Sequence, residues 1–225
     1  MLKSLIANLR GAITLSLMTL NVISWYIPIM ILTVIKLLIP VKSIRDFISR
    51  GLTLCAEYWI YCNGLIFRCI LCIKWEIKGL TNLQRRDWYL VISNHQSWVD
   101  ILALQQTFIG KIPFLKFFIK QPLIWVPFLG QAWWALDMPF MKRYTRQQIE
   151  KDPSLKGKDL TTTRKACAHF SRMPTTIFNF VEGTRFTPEK HQKTNSPYRN
   201  LLTPRAGGIA FTMGSMNNIL RRLLD

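Results

Sequence analysis

The sequence predicts an α/β domain preceded by a hydrophobic helical hairpin at the N-terminus. Two apolar stretches, Gly11 to Ile35 and Leu52 to Ile73, precede a region in which strand-like runs alternate with helix-like ones. That alternation is typical of α/β folds. The chain has 225 residues, enough for one domain with a core of its own. We expect an anchoring hairpin over residues 1–73 and, over residues 74–225, a mixed sheet flanked by helices.

The composition combines positive charge with hydrophobicity. Thirty Lys and Arg oppose 12 Asp and Glu, for a formal net charge of +18, and 49% of the residues are hydrophobic. This apolar content excludes a disordered chain, and the charge attracts nucleic acid or an anionic membrane surface. Because the charge is spread along the chain without a recognisable nucleic-acid-binding module, a DNA-binding protein is the weaker alternative.

The first apolar stretch is long enough to reach across a membrane. Its 25 residues from Gly11 to Ile35 contain no charge. As a helix they would extend about 38 Å, compared with a hydrocarbon core of roughly 30 Å. Trp25 and Tyr26 fall in the middle and Pro28 follows them, so both a spanning and a shallow placement are open.

The second apolar stretch carries Glu57 and Arg68, which are costly in lipid. We interpret it as an interfacial or protein-packed helix that forms a hairpin with the first. Cys55, Cys62 and Cys69 recur every seven residues and share a helix face, which indicates packing. We therefore predict no metal site.

Two strong strand signals position the candidate chemistry. Trp88 to Ser93 and Thr175 to Val181 are short apolar runs, and each is followed by polar residues. Sites in open α/β sheets form outside the carboxyl ends of the strands. His95 follows the first run and Glu182 to Arg185 the second.

The spacing of His95 and Asp100 restricts how they can meet. On one continuous helix they would lie about 140° apart. They can interact if His95 is in a loop and Asp100 is in the first turn of the next helix, and Ser97 to Asp100 fits a helix start. The spacing alone also allows, and more often reflects, a helix-terminal acid and a structural histidine.

Several segments together resemble a known family. Asn94 to Asp100 (NHQSWVD), followed by Phe180 to Arg185 (FVEGTR), resembles the PlsC-like 1-acylglycerol-3-phosphate acyltransferase family of lysophospholipid acyltransferases. Trp125 to Gly130 and Pro139 to Arg143 look like its second block. Leu201 to Gly208 looks like a further segment of the bacterial membrane branch.

The resemblance covers about Lys74 to Phe211 and implies a glycerolphosphate-acyltransferase-like fold. It implies an O-acyltransferase of phospholipid biosynthesis. That enzyme would move an acyl group from acyl-CoA or acyl carrier protein to the free hydroxyl of lysophosphatidic acid or a related lysophospholipid. No cofactor and no nucleic-acid partner are expected. The implied location is the inner (cytoplasmic) membrane, with the active site on the cytoplasmic face.

The resemblance also implies roles for single residues. His95 would be the general base, because histidine exchanges protons near neutral pH, and Asp100 would fix its tautomer. Asn94 and Glu182 would support the site. The candidates for binding the acceptor phosphate are Arg185, Gly183, Thr184 and Arg143.

The last residues differ from the family pattern. Ile219 to Asp225 reads as a short amphipathic helix, whereas family members continue into an apolar strand. We therefore expect a chain truncated at the C-terminus, with low activity and a tendency to self-associate. The alternative function is a catalytically inactive, membrane-bound acyltransferase-like scaffold.

Overall fold

The computed structural model describes residues 2–141, 150–155, 170, 173–216 and 219–225. The chain forms two compact units. The first contains Met1–Asn82 and Ile124–Asp137, and the second contains Leu83–Leu123 and Met138–Asp225.

The first unit is built on an antiparallel pair of helices, α1 (Leu2–Leu38) and α2 (Lys42–Cys69). Asn21 of α1 donates from Nδ2 to the Trp59 carbonyl oxygen at 3.0 Å and to Asn63 Oδ1 at 2.9 Å. Together these contacts form the predicted hairpin. By length and composition, Lys3–Leu38 is a helix that could cross a membrane.

The two helices differ in how far their apolar side chains are exposed. Most large apolar side chains of α1 are exposed, whereas α2 buries one face, including Leu52, Ala56 and Ile60. The hydroxyls of Thr14 and Thr33 in α1 donate to carbonyl oxygens four residues earlier, at 2.8 and 2.7 Å. These two hydroxyl groups are thus satisfied by the backbone of α1 itself.

The second unit is built on a sheet of four strands in the order β2–β5–β1–β6. All pairings in it are parallel. The strands are β1 (Tyr89–Ser93), β2 (Leu115–Phe117), β5 (Thr176–Phe180) and β6 (Arg222–Leu224). The α/β class is confirmed. The sheet is parallel, whereas a mixed sheet was expected. Both predicted strands are the central ones, because their continuous apolar runs suit burial on both faces.

Further elements lie between these strands along the chain. Among the described residues the further helices are α3 (Val99–Phe108), α4 (Leu129–Ala135), α5 (Pro188–Thr194) and α6 (Ala206–Ser215), of which α4 belongs to the first unit. A parallel pair, β3 (Ile119–Lys120) and β4 (Phe140–Met141), forms a second sheet, and Gln121–Trp125 and Pro153–Leu155 are 3-10 turns. Gly208 of α6 approaches β5 so closely that a Cβ there would lie 2.6 Å from Asn179 Nδ2.

The prediction of a helix at the end of the sequence was wrong. Arg222–Leu224 forms β6, in register with Tyr89–Val91 of β1. Arg222 also donates from Nε to Asp87 Oδ2 at 2.7 Å. A helix of seven residues is marginal by itself, whereas the edge of β1 offers unpaired backbone groups that a strand satisfies.

Candidate active site

The candidate site lies at the carboxyl ends of β1 and β5. Ser93 and Phe180, the last residues of these strands, are register partners, and the Val181 N–H donates to the Ser93 carbonyl oxygen at 3.1 Å. The two following segments therefore leave the sheet side by side. This places His95 and Glu182 at one sheet edge, as predicted.

His95 and Asp100 are in contact. His95 lies in the loop after β1, and Asp100 lies in the first turn of α3. His95 Nδ1 is 2.9 Å from Asp100 Oδ2. The same carboxylate oxygen accepts from the N–H groups of Gln96 at 2.6 Å and Ser97 at 2.8 Å. The loop-to-helix arrangement expected from the spacing is thus present.

The surroundings of Asp100 favour its charged form. Burial raises the pKa of Asp100. Hydrogen bonds from the Ser97 N–H, the His95 ring and the Gln96 N–H lower this pKa by more than burial raises it. The net pKa is below the ordinary value of an aspartate. An ionised carboxylate at this position accepts a hydrogen bond from the Nδ1–H of the imidazole. The lone pair of the neutral ring is then on Nε2.

The His95 ring is held on its face as well as at its edge. It stacks on the Phe180 ring with centroids 3.8 Å apart and planes 14° apart, and the His95 side chain is only 11% exposed. An imidazole fixed in this way presents Nε2 in one direction with little loss of rotamer entropy.

Glu182 joins three segments. Its side chain is fully enclosed, with the residue 1% exposed. Oε1 accepts from the His95 N–H at 2.7 Å, and Oε2 accepts from the Leu202 N–H at 2.8 Å. The sequence predicts a supporting role for Glu182 without naming its partners. In the structure its two oxygens hold the His95 loop and the Leu202 segment.

The turn after β5 presents a backbone and a cation. Gly183 has a φ of +68°, a conformation that favours glycine, and its N–H donates to the Phe180 carbonyl oxygen at 2.9 Å. The Arg185 guanidinium lies 4.4 Å from the centre of the Trp98 ring. This cation–π contact restrains the planar guanidinium at the Trp98 ring.

Lys190 is a site residue that the sequence reasoning missed. From α5 it donates to Thr184 Oγ1 at 2.8 Å and to the Arg185 carbonyl oxygen at 2.9 Å. A signal existed in the sequence: Thr187, followed by proline, is the N-cap of α5 and accepts from the Lys190 N–H at 3.3 Å. A helix start there puts Lys190 in the first turn, facing back along the chain.

An open cleft of about 670 Å³ adjoins this turn. Three cations, Lys190, Lys193 and Arg205, line it together with Glu182 and Thr184. The Arg205 N–H also donates to the Val181 carbonyl oxygen at 2.7 Å. The cleft suits an anionic group, and its lining does not include the His95–Asp100 pair.

Two of the predicted residues are not placed in this constellation. Asn94 is exposed, and its Oδ1 accepts from Ser93 Oγ at 3.4 Å. Arg143 lies outside the described residues. Within the part of the chain that the structure describes, no three His, Cys, Asp or Glu side chains are grouped to hold a metal ion.

Comparison with known proteins identifies a family and several relatives. The family model described as Acyltransferase matches residues 74–217. A protein named 1-acyl-sn-glycerol-3-phosphate acyltransferase delta from Bos taurus is 29% identical over 149 residues, which cover 60% of this chain and 36% of the relative. A 1-acyl-sn-glycerol-3-phosphate acyltransferase 3 from Arabidopsis thaliana is 27% identical over 153 residues, covering 62% and 38%. The match therefore spans little more than a third of these curated relatives.

A solved structure shares the fold. The 1-acyl-sn-glycerophosphate (LPA) acyltransferase PlsC from Thermotoga maritima aligns with a TM-score of 0.51 and 16% identity. The alignment covers 92% of this chain and 71% of the other. The two sequence relatives named above come from an animal and a plant, and the bacterial structure, at 16% identity, shows the fold alone, so membership of a bacterial branch stays a prediction.

Proposed function

We propose, from the premise that the chain belongs to the Acyltransferase family, that it acylates lysophosphatidic acid or a related lysophospholipid. The acyl donor would be a thioester, acyl-CoA or acyl carrier protein. The observation that carries the proposal is the 2.9 Å contact of His95 with Asp100 beside the cationic turn after β5. The relatives' names, which specify 1-acyl-sn-glycerol-3-phosphate, support the choice of acceptor.

The reaction needs a base, because a free hydroxyl is a poor nucleophile at neutral pH. His95 Nε2 takes the hydroxyl proton as the acceptor oxygen forms a bond to the thioester carbonyl carbon. The tetrahedral intermediate then collapses, the carbon–sulfur bond breaks, and the imidazolium returns the proton to the leaving thiolate. Asp100 stabilises the imidazolium through Nδ1.

The acceptor phosphate would bind at the turn after β5. Arg185 offers a planar fork of N–H donors, and Lys190 and Arg205 add positive charge at the adjoining cleft. Gly183 lets the phosphate approach the backbone, and Thr184 contributes a hydroxyl. Arg143, in the matched second block, remains a further candidate for the same phosphate.

The α1–α2 hairpin would hold the enzyme at a membrane, with the site on the cytoplasmic face, where thioester donors are made. In a bacterium this is the inner membrane. Most large apolar side chains of α1 are exposed, and the exposed apolar area favours lipid. High salt screens ionic attachment but leaves this burial unchanged, so a salt wash should not release the protein. Release into the soluble fraction would contradict the attachment.

The activity is tested by incubating the purified chain in mixed micelles with lysophosphatidate and either thioester donor. Formation of phosphatidic acid by the wild type, and not by His95→Ala, is the expected result. Comparing acyl-CoA with acyl carrier protein identifies the donor. Binding of lysophosphatidate without transfer from either donor would instead indicate an inactive scaffold.

A further inference from the structure

A short segment of the first unit, Ile124–Asp137, packs on α1 although it lies about 100 residues further along the sequence. The Phe128 ring meets the Tyr26 ring edge-on, with centroids 5.1 Å apart. Asp137 Oδ2 accepts from Lys36 Nζ at 2.9 Å. These two contacts attach both ends of α4 to the same helix.

Both ends of α4 have a backbone conformation that is costly for residues other than glycine. Phe128 has a φ of 62° and Asp137 a φ of 54°. Such conformations persist where the surroundings hold them. Here the ring contact and the ion pair do so, which indicates a specifically positioned segment.

The outward side chains of this segment are apolar and aromatic. No charged residue occurs from Trp125 to Leu136. Trp125 is 82% exposed, Trp134 is 47% exposed and Phe128 is 43% exposed. In the same unit, α1 exposes Ile23, Ile27, Ile31 and Ile35, one row of the helix. Exposed apolar surface of this kind marks an interaction site.

We propose that Trp125–Leu136 is a second membrane-contacting segment that enters the lipid beside α1, an inference that rests on the membrane attachment proposed above. Tyr26 and Lys36 are ten positions apart, about 15 Å along α1, whereas the hydrocarbon core is about 30 Å thick. With the Lys36–Asp137 pair at the polar boundary, the segment reaches about one leaflet deep.

The charges near this boundary favour lipid over a second protein as the occupant. Lys42 and Arg45 follow the end of α1, and both are exposed. Cations there complement anionic head groups. Trp134, whose carbonyl oxygen accepts from the Asp137 N–H at 3.0 Å, lies near the same boundary, where tryptophan is enriched. A second copy of the chain would bring the same cations together.

Quenching by brominated acyl chains tests the proposal on the full chain. The protein is reconstituted in vesicles that contain an anionic lipid, with and without bromine on the acyl chains, and tryptophan emission is compared. Trp125→Phe should lower the fraction of the tryptophan emission that bromine quenches, because it removes a lipid-exposed fluorophore. Trp88→Phe should raise the quenched fraction, because the Trp88 Nε1 donates to the Phe170 carbonyl oxygen, at 2.9 Å, inside the second unit. Each variant is first checked for an unchanged melting temperature.

Trp25→Phe distinguishes this proposal from the attachment on which it rests. Trp25 is on α1 and stacks on Tyr58. Lower quenching for Trp25→Phe together with a Trp88-like result for Trp125→Phe would overturn the second segment and leave the hairpin anchor intact. No decrease for either variant would overturn both. Loss of a detergent-stable dimer in Trp125→Glu, with Trp125 unquenched, would identify a second copy as the occupant and also overturn it.

Discussion

The loop after β1 and the turn after β5 leave the sheet side by side, yet their carboxylates are organised differently. The partly exposed Asp100 accepts from His95, Gln96 and Ser97, all within five residues of it. The buried Glu182 accepts from His95 and Leu202, which are 87 and 20 residues away. Asp100 binds residues of its own loop, where it would tune the proposed base, whereas Glu182 holds distant segments in place. Changes in the loop should therefore affect rate, and changes in the turn should affect stability and acceptor affinity.

The largest effect is expected for His95→Ala, which removes the proposed base from the loop. Turnover should fall by about 10²–10⁴-fold, the usual contribution of a general base. The melting temperature should change little by comparison, because the His95 backbone N–H still donates to Glu182. Steady-state kinetics and a thermal melt measure both quantities. Near-normal turnover would show that the loop does not carry the chemistry.

Asp100→Asn should lower kcat by about 10²-fold, because the amide keeps the shape but favours the wrong imidazole tautomer. Affinity for lysophosphatidate should stay within a few-fold of the wild type, since the turn after β5 is untouched. A large rise in KM with unchanged kcat would contradict the division between the two segments.

Glu182→Gln tests whether Glu182 stabilises the fold by linking the His95 loop to the Leu202 segment. A carboxamide offers one acceptor oxygen, so one of the N–H groups of His95 and Leu202 would lose its acceptor. Leaving a buried donor unpaired costs about 1–3 kcal/mol, which lowers the melting temperature by several degrees. Glu76→Gln, at an exposed carboxylate, is the control and should leave the melt unchanged. Equal melts for the two variants would contradict this stabilising link.

The smallest effect is expected for Arg185→Ala. Loss of the proposed charged contact to the acceptor phosphate should raise KM by about 10-fold and leave kcat near the wild-type value. The control, Arg86→Ala, removes the same charge at the exposed amino end of β1 and should change neither constant. A tenfold fall in kcat with unchanged KM would place Arg185 in the chemistry.

The same contrast explains what the sequence could predict. The His95–Asp100 contact depends on six consecutive residues, and the two central strands are continuous apolar runs, so local patterns were sufficient. The partners of Glu182 and the approach of Lys190 to Thr184 depend on how separate segments meet. Likewise, Arg222–Leu224 is a strand because β1 lies beside it, not because of its own propensity. Contacts of that range are absent from any local pattern.

The central claim is that His95 acts as a base on the acceptor hydroxyl and not as a nucleophile. Rapid mixing of the enzyme with the acyl thioester in the absence of acceptor tests this most directly, with thiol release as the signal. Direct transfer predicts no burst and no acylated protein until lysophosphatidate is added. A burst of thiol equal to the enzyme concentration, accompanied by an acyl group covalently attached to the protein, would contradict the account.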